Sequence, residues 1–196
     1  MKTMDKYLIC SEQIDCNHPA IIQRADLLTE GNTKPFDIVE KCFEWVRDEI
    51  RHTVDYEDNV ITCKASDVLN AGTGYCYAKS HLLAALLRAK KIPTGLCYQR
   101  LSRDDNGPPF CLHGLNAVYL PELGWYRVDP RGNKPGVDAQ FCPPTEKLAY
   151  GIQHPGEADL PEIWPEPLPS VVNILQTNVT YTDVWKNLPD IELIKS

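Results

Sequence analysis

Cys76, His113 and Asp129 stand in sequence contexts that could supply a nucleophile, a base and an orienting carboxylate. Cys76 closes the stretch Gly72-Thr73-Gly74-Tyr75-Cys76 and opens an apolar run from Ala78 through Leu82, Leu83, Leu86 and Leu87 to Lys90. A Gly-rich turn thus delivers the cysteine onto the first turn of a helix. The first N–H groups of a helix lack an intrahelical partner, and the macrodipole places roughly half a positive charge there. Both favour thiolate, the nucleophilic form, for a cysteine so placed. The plain alternative is a small buried apolar residue, a common use of free cysteine.

His113 lies in Cys111-Leu112-His113-Gly114, just ahead of the strand-like run Leu115–Leu120. Pro121-Glu122-Leu123-Gly124 follows as a turn, then a second run, Trp125–Asp129, stopped by Pro130. Aromatic and β-branched runs around a short Pro/Gly connection predict a hairpin. With a three-residue loop at Pro121–Leu123, Asp129 falls opposite Leu115. It then shares a face with His113 one diagonal step away, about 7–8 Å between backbones. A slip of one residue would send the two to opposite faces.

A helix-start cysteine followed by a histidine and an aspartate on adjacent strands has the nucleophile–base–orienter logic of acyl transfer. Taken singly, His113 could satisfy a backbone group at a strand end, and Asp129-Pro130 could be an ordinary strand-ending turn. The order and context of the three together point to chemistry.

Leu69–Cys76, the apolar helix, and Lys91-Ile92-Pro93-Thr94-Gly95 resemble the core of the transglutaminase-like superfamily. His113 before a strand, and Gly124–Pro130, resemble its second and third motifs, in the same order and over roughly Pro35 to Arg131. The resemblance implies an α+β, papain-like fold and acyl transfer through a Cys-His-Asp triad, to water (peptidase or amidase) or to an amine (cross-linking). Matched residue by residue, the nucleophile falls on Cys76, the base on His113 and the orienter on Asp129. One departure is Gly114-Leu115-Asn116-Ala117 after the histidine, where many members carry an aromatic residue and an acidic one. The spacing, 37 residues from Cys76 to His113 and 16 from His113 to Asp129, resembles the short microbial members. The calcium apparatus of the large animal enzymes would need further domains.

A chain of 196 residues with 43% hydrophobic content can bury one good core. It is read as a single domain over residues 1–196, with a core at about 35–131, an N-terminal helix before it and a Pro-rich wrapping tail over 132–196. The net charge of −7 and the lack of a Lys/Arg-rich stripe argue against a nucleic-acid partner. No apolar run of spanning length occurs and Met1–Leu8 has no signal-like apolar stretch, so neither membrane association nor secretion is expected. The eight cysteines include no C-x-x-C pair. They are expected to be reduced, in a cytoplasmic protein needing no metal and no cofactor. The missing zinc-type cluster also argues against the peptide-N-glycanase branch that the resemblance brings to mind.

The elements that must position the three residues follow from periodicity. Asp15–Pro19 caps a helix over Ala20–Leu28. A second, from Pro35, aligns Ile38, Cys42, Phe43, Val46 and Ile50 on one stripe, with Trp45 off it, packing on the first helix or facing the cleft. Arg51–Asn59 reads as a charged loop, and Ser66 as the cap of a short turn ending at Gly72. The Cys76 helix, apolar nearly all round, is the buried one, packed on an antiparallel sheet of strands 95–101, 115–120 and 124–129. The polar loop Ser102–Pro109 could shape a cleft or only connect strands. After Arg131 the frequent prolines predict an extended tail with short helices near 170–177 and 181–187, sealing the core or covering one wall of the cleft. An oxyanion hole would take the Cys76 N–H and a second donor, with Trp45, Tyr56 and Asn59 as candidates. His81 points away from Cys76, and His18, His52 and His154 carry no motif.

The expected activity is hydrolysis or transfer of an amide-bonded acyl group of a peptide or protein, by way of a thioester on Cys76. Alternatives are a peptide-binding module on the same fold, or another Cys-His-Asp acyltransferase similar to the arylamine N-acetyltransferases.

Overall fold

The computed structural model describes residues 4–104 and 106–192. Asp105 of the polar loop, Met1–Thr3 and the last four residues of the wrapping tail lie outside them.

Helix α1 (Pro19–Leu28) starts with Pro19 in its first turn, where a missing N–H costs nothing. Its cap, within the expected Asp15–Pro19 stretch, is His18, whose Nδ1 accepts from Ala20 N at 3.3 Å. Asp15 accepts the Ser66 N–H at 3.0 Å, so it ties the N-terminal segment to helix α3 (Ala65–Ala71). Helix α2 (Pro35–Glu49) buries the expected stripe of Ile38, Cys42, Phe43 and Val46. Trp45 packs toward α1, under the Arg24 guanidinium 4.8 Å from its ring. The charged loop after α2 is partly ordered by a two-residue strand, β1 (Arg51–His52), running parallel to β2 (Thr73–Gly74). Gly72, at φ +67°, closes α3 in the left-handed conformation that glycine adopts without penalty.

Helix α4 (Cys76–Ala89) is the centre of the molecule: every residue from Cys76 to Arg88 is buried. Leu82, Leu83, Leu86 and Leu87 are wholly inaccessible, each stabilising the fold by roughly 2 kcal/mol. Two charged side chains on α4 bond to backbone carbonyls of other segments. Lys79 Nζ donates to the carbonyls of Arg47 and Ile50 at the end of α2, where the helix dipole favours a cation. The Arg88 guanidinium donates to the carbonyls of Ile9, Thr94 and Pro165, joining the N-terminal segment and the tail to the core.

Against α4 lies an antiparallel sheet of strands β3 (Thr94–Ser102), β4 (Phe110–Leu120), β5 (Gly124–Val128) and β8 (Ala158–Asp159), in the order β5-β4-β3-β8. The fold is thus α+β, with the cysteine on the central helix. One difference from the sequence reading matters. β4 begins at Phe110, so His113 lies inside the strand, not ahead of it. The reason is the nine-residue pairing of β3 with β4, which carries the ladder from Thr94↔Val118 to Ser102↔Phe110. The β4–β5 register is the expected one, Leu120↔Gly124 to Asn116↔Val128 around a three-residue loop.

The tail adds a hairpin of β6 (Gln140–Cys142) and β7 (Thr145–Lys147), then helices α5 (Pro169–Thr177) and α6 (Tyr181–Lys186). Val171, Ile174 and Leu175 of α5 and Val184 of α6 are buried in the core. The reading of all cysteines as reduced is corrected at one place: Cys10 and Cys16 form a disulfide, with Cα atoms 5.1 Å apart. The Ser11–Ile14 turn folds that short segment back on itself, bringing the two together. Among the described residues no helix is long and apolar enough to cross a membrane.

Candidate active site

Cys76 is the first residue of α4, with Tyr75 preceding it in extended conformation and no side-chain cap. Its N–H therefore stands ahead of the helical hydrogen-bond ladder. The helix start meets β4 at Gly114, whose N–H lies 3.4 Å from Cys76 Sγ. That approach needs glycine: a Cβ at position 114 would sit 2.8 Å from Tyr77 Cδ1 and 3.2 Å from Tyr77 Cα. Tyr77 adds a second clasp, its hydroxyl donating to the Leu112 carbonyl.

His113, the neighbour of Gly114, donates from Nε2 to Asp129 Oδ2 at 2.8 Å. Its other nitrogen is left for Cys76, whose nearby sulfur adds to the pull on the ring. Burial alone would lower the His113 pKa, but the charges and hydrogen bonds of Asp129 and Cys76 override it and raise the value to about 10. Asp129 is wholly buried just beyond β5. It also accepts the Ala149 N–H at 3.0 Å and the Arg131 N–H at 3.1 Å. Burial opposes its charge, yet His113 and these two amides hold its pKa below the usual carboxylate range. The edge of the Tyr150 ring packs on the imidazole, centroids 5.1 Å apart at 89°. The three residues are thus brought together, His113 bonded to Asp129 and close enough to Cys76 to feel its charge.

Cys76 and His113 open onto a cleft of about 270 Å³. The second-donor candidates Trp45, Tyr56 and Asn59 do not line it. Trp45 lies on α2, and Tyr56 is 63% exposed in the loop after β1. In their place stands His52, which lacked any sequence motif. The β1–β2 pairing puts it beside Gly74, and its ring meets Tyr75 at 5.9 Å. Burial, reinforced by Arg131, drives its pKa well below 6.5, so the ring is neutral. Its buried Nδ1 makes no hydrogen bond, the Asp55 carboxylate being 3.9 Å away. Asp55 is engaged instead by Arg131, at 2.6 and 2.9 Å, and by Lys134 at 2.6 Å. His154 also reaches the cleft, whereas His81, on α4 itself, is buried away from it, its Nδ1 2.8 Å from the Cys63 carbonyl oxygen. From the polar loop, Ser102 and Arg103 contribute to the wall. Among the described residues no group of three His, Cys, Asp or Glu side chains could hold a metal.

The pattern of the transglutaminase-like superfamily matches residues 22–130, more than half of the chain and all three of these residues. No curated protein matches. Among solved structures, a candidate cysteine protease from Cytophaga hutchinsonii is similar at 18% identity, covering 67% of this chain and 43% of its own, with a TM-score of 0.54. The periplasmic domain of TgpA from Pseudomonas aeruginosa is 21% identical over 63% of this chain and 45% of its own, with a TM-score of 0.46. Red sea bream transglutaminase is 16% identical over 66% of this chain and 26% of its own, with a TM-score of 0.42. The chain thus spans less than half the length of each of these structures. With the family pattern running from α1 to the residue after Asp129, the chain belongs to the transglutaminase-like superfamily.

Proposed function

We propose that this protein is a cysteine-dependent acyl-transfer enzyme acting on an amide bond of a peptide or protein. The observation that carries the reading is the grouping of Cys76 at the start of α4 with the His113–Asp129 pair, Cys76 and His113 facing one open cleft. The Cys76 thiolate attacks the amide carbonyl carbon, a C–S bond forms, and the oxygen takes up negative charge. The Cys76 N–H meets that charge, and the neutral His52 ring supplies a second N–H from the cleft wall. His113, as imidazolium, gives its proton to the departing amine as the C–N bond breaks, leaving a thioester. Water then attacks the thioester; His113 takes the proton and the thiolate leaves. Asp129 fixes the ring so that the second nitrogen faces the sulfur throughout. Hydrolysis is preferred over cross-linking because no amine-acceptor site is evident.

The test is the rate of Cys76 alkylation by iodoacetamide against pH, with peptide mapping to separate it from the other thiols. The reading expects His113→Ala to slow reaction at neutral pH and to change the profile. Identical profiles would mean an unactivated cysteine and leave a peptide-binding module.

A further inference from the structure

Residues two apart along a strand direct their N–H groups to the same side. The N–H groups of Leu112 and Gly114 therefore share one edge of β4, on the side away from the β3 partner. At Gly114 that edge meets Cys76 Sγ. At Leu112 it is taken by the chain's own tail: the Leu112 N–H donates to the Pro189 carbonyl at 2.7 Å. With a rise of about 3.3 Å per residue, the two contacts are about 7 Å apart. The edge is open to such an addition because β5 ends at Val128, opposite Asn116.

The neighbouring contacts fix how the tail lies. Tyr75, next to Cys76, donates its hydroxyl to the Tyr181 carbonyl at 2.5 Å. Arg103 covers the Trp185 ring at 5.2 Å and donates to the Trp185 carbonyl at 2.7 Å. Trp185 and Leu188 line the cleft, and Arg100 grips the Asp190 carboxylate with two bonds of 2.6 and 2.7 Å. Val184 is buried and anchors α6, but no residue from Trp185 to Glu192 is. Among the described residues after Asn187, the segment is held by the Pro189 backbone bond, the half-buried Leu188 and Pro189, and the Arg100–Asp190 ion pair.

We infer that Leu188–Asp190 is an exchangeable strap lying on the peptide-docking edge of β4 beside Cys76. It competes with the acyl-donor peptide, which would be extended and carry an acidic side chain for Arg100 two residues after an apolar one. Added strands of this kind gain affinity from main-chain hydrogen bonds and specificity from alternate side chains. The inference rests on the acyl-transfer reading for the identity of the competitor.

The experiment compares the wild type, Asp190→Ala, and a chain ended after Asn187. Cys76 labelling by fluorescein maleimide and by iodoacetamide is followed by peptide mapping. Release of the strap raises the maleimide rate about fivefold for Asp190→Ala, a partly screened pair, and about tenfold for the shortened chain, with a smaller effect on iodoacetamide. The synthetic peptide Asn-Leu-Pro-Asp-Ile-Glu, corresponding to residues 187–192, restores protection of the shortened chain saturably, and its Asp-to-Ala form does not. Rates unchanged by either variant, or a peptide without effect on a folded shortened chain, would overturn the strap. Should the shortened chain fail to melt cooperatively, Asp190→Ala decides alone, since it removes only a surface pair. Failure of the acyl-transfer reading is separate: it shows as insensitivity of the iodoacetamide rate to His113→Ala.

Discussion

Replacing Asp129 with asparagine tests the electrostatic core of the mechanism. Three donors converge on the wild-type carboxylate: His113 Nε2 at 2.8 Å, Ala149 N at 3.0 Å and Arg131 N at 3.1 Å. Asparagine offers one acceptor oxygen and one donor NH2, so its NH2 must oppose either the Arg131 N–H or both the His113 and Ala149 N–H groups. If the amide NH2 faces His113, the ring has to present a lone pair there, and its remaining proton points at Cys76, the wrong tautomer for a base. The raise of the His113 pKa from 6.5 to about 10 corresponds to roughly 5 kcal/mol in favour of imidazolium. Asp129 and Cys76 share that effect; with half assigned to Asp129, about 2 kcal/mol is lost, one to two decades in the ratio of imidazolium to neutral ring at a given pH. The assay is Cys76 alkylation by iodoacetamide from pH 5 to 10 in the wild type and Asp129→Asn. The variant should react more slowly near pH 7, with its pH profile displaced by roughly one to two units. Thermal stability gives an independent reading with a definite sign. A folded-state pKa raised above the unfolded one contributes stability fully below about 6.5, and that contribution is lost as pH climbs through about 10. Melting temperature should therefore decline over that interval in the wild type and be flatter in Asp129→Asn. Superimposable alkylation profiles in two equally folded proteins would refute the reasoning.

Two further outcomes follow from the site and from the disulfide. His52→Ala should slow acylation of Cys76 by p-nitrophenyl acetate, which passes through a tetrahedral oxyanion, by about 10²-fold or more, while leaving iodoacetamide alkylation, which does not, nearly unchanged; a parallel fall in both rates would make His52 a structural residue only. If the Cys10–Cys16 bond forms in the protein's own compartment, denatured and unreduced protein contains six titratable thiols. All eight cysteines titrating would instead fit the reduced, cytoplasmic reading.

Local sequence was enough for the features that depend on neighbours along the chain. The Gly-rich turn and the apolar run after it place Cys76 at the start of a buried helix, because glycine conformation and helical periodicity are properties of a few consecutive residues. The three-residue loop sets the β4–β5 register, and period-two alternation then puts His113 and Asp129 on one face. The same signals located α5 and α6. Packing alone decided the rest. His52 reaches the cleft through a parallel pairing with residues beyond α3, and Trp45, Tyr56 and Asn59, equally suitable by type, do not. Gly114 reads as an unremarkable strand glycine until α4 is laid against it and the space for a Cβ disappears. Arg131 and Lys134 meet Asp55 across a long stretch of chain, and Pro189 finds the edge of β4 from the far end of the tail. Periodicity says which face a side chain occupies, but only the close packing of distant segments says what that face meets.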